Sequence, residues 1–131
     1  MIRQLRTTRN AVLASLLAVL LAACGSEGPG DAFEVFMDRI HAGETTQARE
    51  YVANEAVSIM GGEENLMSTL RQLSREIDGV LDHLEIVEEE IQGELATVHV
   101  TFHYIDGSSE DDAFHMVMED GQWKFFPPGL R

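Results

Sequence analysis

The chain is short of the residues on which much covalent and metal chemistry depends. It contains one cysteine, Cys24, among 131 residues, so no disulfide can form within one molecule. It has no glycine-rich phosphate-binding loop and no nucleophile in a recognisable turn motif. Disulfide scaffolds, phosphate-binding loops of this kind and cysteine-based metal centres are therefore excluded from the expected functions.

The chain also lacks an apolar run long enough to cross a membrane near its start. The run from Ala11 to Ala23, broken only by Ser15, has 13 residues, whereas a permanent transmembrane helix needs about 20. Three arginines and no acidic residue precede this run. A basic start followed by a short apolar run is typical of a signal peptide. We therefore predict a signal peptide over residues 1–23.

The apolar run ends in Leu21-Ala22-Ala23-Cys24, which resembles the lipobox of bacterial lipoproteins. The resemblance implies that Cys24 takes a diacylglyceryl group through its sulfur and that the amine exposed by cleavage is often acylated too; two or more acyl chains give stable anchoring. It also implies, with Gly25 in place of aspartate, transfer to the outer membrane in a Gram-negative cell, facing the periplasm. The alternative is an inert, buried cysteine at the end of an ordinary signal or transmembrane segment. An unmodified cysteine would be a liability in an oxidising compartment.

Basic residues are scarce beyond the predicted cleavage site. Loss of residues 1–23 would leave six basic and 23 acidic residues, a net charge of −17 with neutral histidines. So acidic a surface repels nucleic acid and anionic headgroups, and a nucleic-acid partner is not expected. Residues 24–30 are glycine-rich and predict a lipidated, flexible tether. Residues 31–131 are sufficient for one domain with one core.

The first half of that domain has helical periodicity. Asp31 and Glu34 have the spacing of a capping box, and an apolar stripe follows it on one helical face: Phe33, Phe36, Met37 and Ile40. Short helices are predicted from Thr45 or Thr46 and from Asn54. After Gly61-Gly62 a longer helix carries a second stripe, formed by Leu66, Leu70, Leu73 and Ile77.

The second half alternates with the period of two that predicts strands. A β-prone, acid-rich segment runs from His83 to Ile91, and three further strands are separated by turns at Asp106-Gly107 and Asp120-Gly121. Their apolar positions predict one buried sheet face, formed by Val98, Val100, Phe102, Phe114, Met116, Trp123 and Phe125. We expect Val98 to pair with Met116 through a three-residue loop at 106–108, which would place His99 opposite His115 on the outer face.

Several segments together are similar to the nuclear transport factor 2-like, cystatin-like superfamily: Ala42-Gly43, Ala48 with Tyr51, residues 96–102 and residues 119–125. The resemblance covers residues 31–127. It implies an α+β fold in which N-terminal helices pack on a curved antiparallel sheet to form a cone. Enzymes, ligand binders and interaction modules all occur in this superfamily, so function is left open.

The resemblance directs attention to the cone interior. Enzymes of the superfamily use aspartate, histidine or tyrosine there, whereas the inward positions of this chain are nearly all apolar. No catalytic residue is assigned, and catalysis is not the expected function. A ligand pocket, if present, would be lined by Tyr51, Tyr104, Met116 and Trp123. The alternative for these four residues is ordinary core packing, with the tyrosine hydroxyls at solvent.

A metal site is considered on the outer sheet face, because three histidines are predicted there. His99 and His103 would lie about 13 Å apart, too far to share an ion, and His99 with His115 would supply only two ligands. The acidic runs 88–90 and 110–112 lack the spaced oxygens and glycine of a calcium loop. No metal or cofactor is therefore expected.

The outer face is the remaining candidate surface, with contact residues His99, His115 and Phe126. The expected function is that of an envelope lipoprotein, held to the membrane through Cys24 and acting as a non-catalytic binding or interaction module. Its partner would be another envelope protein or a second copy of the chain. The alternative is a small-ligand carrier or an enzyme that uses the cone interior. A void with two or more convergent polar groups would favour that alternative, and a filled interior with an apolar outer face would favour the first.

Overall fold

The computed structural model describes residues 27–127, so the predicted signal peptide and residues 24–26 of the predicted tether, Cys24 among them, lie outside the described residues. Four helices come first: α1 (Pro29–His41), α2 (Thr45–Ala48), α3 (Asn54–Ile59) and α4 (Glu63–Ile77), with a 3-10 turn (Arg49–Tyr51) after α2. Four strands follow: β1 (Leu81–Gln92), β2 (Leu95–Tyr104), β3 (Ser109–Glu119) and β4 (Gln122–Phe126). The helices-then-strands order confirms the predicted α+β class.

Helix α1 begins two residues before the predicted capping box. Pro29 occupies the first helical position, where its fixed φ suits the helix and its missing N–H leaves no donor unpaired. The N–H of Gly28 donates to the carboxylate of Asp31 at 3.4 Å. Asp31 therefore lies inside the first turn, and its predicted role as the cap was wrong because the proline starts the helix earlier.

The predicted apolar faces of the two long helices are confirmed. All four stripe residues of α1 are buried: Phe33, Phe36, Met37 and Ile40. In α4, Leu66 and Leu70 are buried while Leu73 and Ile77 are half-buried against the same core. Both stripes contribute to one core, because apolar residues at helical spacing must share one side of the helix.

The strands form one antiparallel sheet in the order β1-β2-β3-β4. The pairing of β1 with β2 is shifted at two places, between Leu81 and His83 and between Ile86 and Glu88. Bulges of this kind bend a strand and increase its twist. They curve the sheet around the helices, as the predicted cone requires.

The inner sheet face carries the predicted apolar set. Val98, Val100, Met116 and Trp123 are buried, and three phenylalanines are half-buried beside them: Phe102, Phe114 and Phe125. The rings of Phe33 and Phe114 stack with centroids 4.6 Å apart, and those of Phe36 and Phe125 with centroids 4.9 Å apart. Stacked aromatic pairs therefore join α1 to both β3 and β4.

The predicted register of β2 and β3 was wrong by two residues. His99 lies opposite Ala113, and His115 lies opposite Thr97, so the two histidines do not face each other. The loop is formed by residues 105–107, because the N–H of Tyr104 donates to the carbonyl of Ser108 at 2.9 Å. Asp106 stabilises this loop by accepting from the Ser108 N–H at 2.9 Å. An even shift keeps every side chain on its predicted face.

The β3–β4 register is as predicted, with Met118 opposite Trp123 and Met116 opposite Phe125. Asp120 and Gly121 both have positive φ, 53° and 77°. Two consecutive residues in this region are what a tight two-residue hairpin turn requires.

Candidate functional site: an interior cavity and an outer groove

The cone contains an interior cavity of about 220 Å³. Nine of its ten lining residues are apolar, including Phe36, Leu73 and Phe114, and the exception is Tyr104. The Tyr104 hydroxyl donates to Glu110 Oε1 at 3.4 Å, and burial together with the Glu110 charge raises the pKa of this tyrosine. The one proton of this hydroxyl is therefore donated to Glu110, and a phenol kept protonated supplies no base at neutral pH.

The four predicted pocket residues do not share one cavity. Tyr104 lines the interior cavity, whereas Met116 lies under a groove elsewhere on the sheet. Trp123 belongs to the buried core, and Tyr51 packs against that core from the 3-10 turn. Burial, and next the charge of Glu27, raise the pKa of Tyr51. Neither Tyr51 nor Trp123 lines the interior cavity or that groove.

A larger groove, of about 500 Å³, opens beside the end of the β1–β2 hairpin and the end of β4. We call it the outer groove. Its apolar lining includes Leu95, Val117 and Phe126, and its polar lining includes Glu55 and Glu90. Leu95 has 61% of its surface exposed. Such a volume and mixture of lining residues are typical of sites that enclose a ligand or a partner's side chains.

The structure brings together two of the three predicted sheet-face residues. His115 and Phe126 are directly opposite each other on β3 and β4, and both line the outer groove. His99 lies on the same face, and its Nε2 bonds to Glu90 Oε2 at 2.8 Å. The hydrogen bond to Glu90 raises the pKa of His99, so this imidazole carries more positive charge near neutral pH than an isolated histidine does.

Two further histidines extend this polar row toward the other end of the sheet. The rings of His83 and His103 stack with centroids 4.5 Å apart, and each pairs with its own carboxylate: His83 with Asp82 at 2.7 Å and His103 with Glu85 at 3.2 Å. Within residues 27–127, no three histidine, cysteine, aspartate or glutamate side chains are placed to hold one metal ion. The row is therefore a set of separate histidine–carboxylate contacts on the sheet surface.

The sequence prediction missed Leu95, Glu55 and Glu90 as groove residues. Leu95 was detectable, since its odd number puts it on the same side of β2 as Thr97 and His99. The missed cue was that β2 begins one residue before Ala96. Glu55 lies on α3, far from the strands in sequence, and no local pattern could have placed it at the groove.

In the described part of the chain, no helix has the length and apolar character needed to span a membrane. No curated protein matches the chain significantly. Among solved structures, a protein of Campylobacter jejuni provisionally named an NTF2-like transpeptidase is similar, with 16% identity and a TM-score of 0.61 over 76% of this chain and 98% of that one. A de novo designed NTF2-fold protein, NT-9, is similar with 11% identity and a TM-score of 0.55 over 77% and 85% of the two chains.

At such identities these two structures establish the fold alone, which is the NTF2-like cone predicted from the sequence. A family model described as a domain of unknown function, DUF4878, matches residues 22–126. That match covers most of the chain, including Cys24 and all of the described helices and strands. The chain therefore belongs to the DUF4878 family.

Proposed function

We propose that this protein is a cell-envelope lipoprotein, anchored through acylated Cys24, and that its domain is a non-catalytic interaction module. The partner binds at the outer groove. The observation that best supports this proposal is the contrast between the two concave sites. The interior cavity has one polar lining residue, whereas the outer groove is larger, partly apolar and bordered by carboxylates.

A lipid anchor is supported by the resemblance of residues 21–24 to a lipobox and by the position of the domain directly after them. Helix α1 begins at Pro29, so only four peptide units separate Cys24 from Gly28. An extended chain of this length reaches roughly 14 Å. Acylation would therefore hold the domain close to the lipid surface, with the start of α1 toward it.

The end of the domain next to this tether is acidic. The N–H of Gly30 bonds to Glu89, and Glu88 and Glu90 flank that residue on β1. Held this close to the membrane surface, these charges would be repelled by anionic headgroups. Repulsion would keep the domain from lying flat on the membrane and leave the outer sheet face available to a partner.

The test uses the full-length protein in cells of its own bacterium. A photo-crosslinking residue at Gln92, which is exposed and lines the outer groove, should give a partner adduct that mass spectrometry identifies. The same residue at Ser68, exposed on α4, is the matched control. Intact mass should show residues 1–23 removed and acyl chains on Cys24, and Cys24→Ser should release the protein from the membrane fraction.

Three results would refute the proposal. They are retention of residues 1–23, a bare thiol at Cys24, and crosslinks from Gln92 that are no more specific than those from Ser68. The first two would contradict the proposed lipid anchor, and the third would contradict the proposed interaction surface.

A second candidate function is favoured by the interior cavity, which at about 220 Å³ could hold a small apolar molecule beside Tyr104. Titration with an apolar probe such as indole should then shift the NMR signals of Leu73 and Ile77 methyl groups, and Leu73→Phe should abolish the shift by filling the space. An unchanged spectrum at saturating indole would count against a carrier role.

A further inference from the structure

The charges around the outer groove are mainly acidic. Glu55 and Glu90 both line it, and none of its lining residues is lysine or arginine. Glu88 extends the acidic border on the outer face, where it lies opposite His99. A surface of this kind favours a cationic partner and raises its rate of association.

Two cationic side chains of the domain, those of Lys124 and Arg49, are bonded to other groups. Lys124 lies opposite Val117 on β4, but its ammonium donates to the carbonyl of Glu50. Arg49 forms two hydrogen bonds with Glu63, at 2.7 and 3.0 Å. Neither side chain bonds to Glu55 or Glu90. His99 bonds to Glu90 at 2.8 Å and offsets part of its charge, so the border stays acidic overall and any further positive charge has to come from another molecule.

A partner has to match the apolar part of the groove as well as its charge. Leu95, 61% exposed, lies directly opposite Val117 on the neighbouring strand, and Phe126 lies beside them on the groove lining. Burying such side chains is worth roughly 25 cal/mol per Å² of apolar surface. A partner that fits must therefore present a large apolar side chain between its cations.

A second copy of this chain does not meet that description. Its own groove carries the same two glutamates, and face-to-face pairing would bring like charges together, which is unfavourable in an interface. An anionic lipid surface is disfavoured for the same reason. The partner chemistry that remains is basic and apolar.

We infer that the outer groove binds a segment of another envelope protein in which a leucine or phenylalanine is flanked by lysine or arginine. This inference rests on the proposed function and adds the chemical class of the partner. The apolar side chain lies against Leu95, Val117 and Phe126, and the flanking cations pair with Glu55 and Glu90.

The binding test uses the acylated full-length protein in nanodiscs of neutral phosphatidylcholine. Two dye-labelled peptides are compared by fluorescence anisotropy: Lys-Leu-Lys-Phe-Lys-Leu-Lys and the same peptide with every lysine replaced by glutamate. The lysine peptide should bind at least about tenfold more tightly. Equal binding of the two peptides, or no binding of the lysine peptide, would overturn the inference.

Matched variants separate groove binding from general attraction to an acidic protein. Leu95→Ser should weaken the lysine peptide about tenfold, and Ile105→Ser, equally exposed at 62% but outside the groove lining, should leave it unchanged. Glu55→Gln with Glu90→Gln should weaken it more than Glu64→Gln with Glu110→Gln, which remove the same charge elsewhere. Equal effects within either pair would refute a groove site, provided that thermal melting shows all variants folded.

This inference can fail while the proposed function stands. A cellular crosslink from Gln92 to a segment that is acidic or lacks a large apolar residue would have that result. If Gln92 gives no groove-specific crosslink at all, the proposed function itself fails.

Discussion

The backbone N–H of Gly30 donates to Glu89 Oε2 at 2.9 Å, across 59 positions of sequence. Gly30 belongs to the first turn of α1, where N–H groups have no partner within the helix. A carboxylate there is also favoured by the helix dipole. A single glutamate of β1 therefore fixes the start of the first helix against the edge of the sheet.

Replacement of Glu89 by alanine should lower the free energy of unfolding by about 1 kcal/mol, the usual loss for a helix cap. Urea denaturation of the full-length protein measures this change. Glu88→Ala is the matched control, because it removes the same charge from the adjacent residue, which faces His99 across the strands. Equal losses for the two variants would show that the bond to Gly30 has no special role.

The stacked pair of Phe33 and Phe114 should be a main connection between helix and sheet. Phe33 is 1% exposed, and Phe33→Ala should lower the free energy of unfolding by about 3–5 kcal/mol because it leaves a cavity in the core. Leu95→Ala, at the exposed groove, should cost less than about 0.5 kcal/mol. A loss below about 1 kcal/mol for Phe33→Ala in urea denaturation would contradict the packing described above.

The pKa of His99 should be above 6.5, its ordinary value, because of its hydrogen bond to Glu90. The pKa is raised in the folded protein, so the pair's contribution to stability is fully present below about pH 6.5 and is lost as pH rises through the folded pKa. An NMR titration of the imidazole protons measures the shift. Glu90→Gln should lower the His99 pKa clearly, and Glu88→Gln should lower it less. Identical titrations of the wild type and Glu90→Gln would contradict the assignment.

The register of β2 and β3 can be tested by cysteine pairs in a Cys24→Ser background. Directly opposite residues lie roughly 4.5–5.5 Å apart between Cα atoms, within the range that a disulfide needs. His99→Cys with Ala113→Cys should therefore oxidise readily, whereas His99→Cys with His115→Cys, on a diagonal of roughly 7–8 Å, should not. Mass spectrometry after mild oxidation distinguishes them, and preferential closure of the second pair would restore the register expected from sequence.

Local patterns were sufficient for most of the element boundaries and for the composition of the core. The stripe of α1, the stripe of α4 and the alternation of β2 each identified a buried face correctly, because a side chain's direction follows from backbone periodicity alone. The turn at Asp120-Gly121 was also predictable, since few sequences tolerate two consecutive positive φ angles.

Two errors came from choices that depend on single residues. The start of α1 was displaced because Pro29 took the first helical position, and the β2–β3 register was displaced because Asp106 and Ser108 closed the loop one residue early. Either loop keeps the apolar face inward. Hydrophobic patterning therefore does not distinguish registers that differ by two residues.

The amino-acid sequence by itself determined the α+β order, the apolar inner face and the acidic character of the surface, because these follow from composition and periodicity. Only the tertiary structure placed Glu55 of α3 and Glu90 of β1 at one groove with Leu95 and Phe126. It also separated Tyr104 from Met116 and set Glu89 against Gly30. These relationships join residues far apart in sequence, and they depend on strand register and helix docking, which local periodicity does not encode.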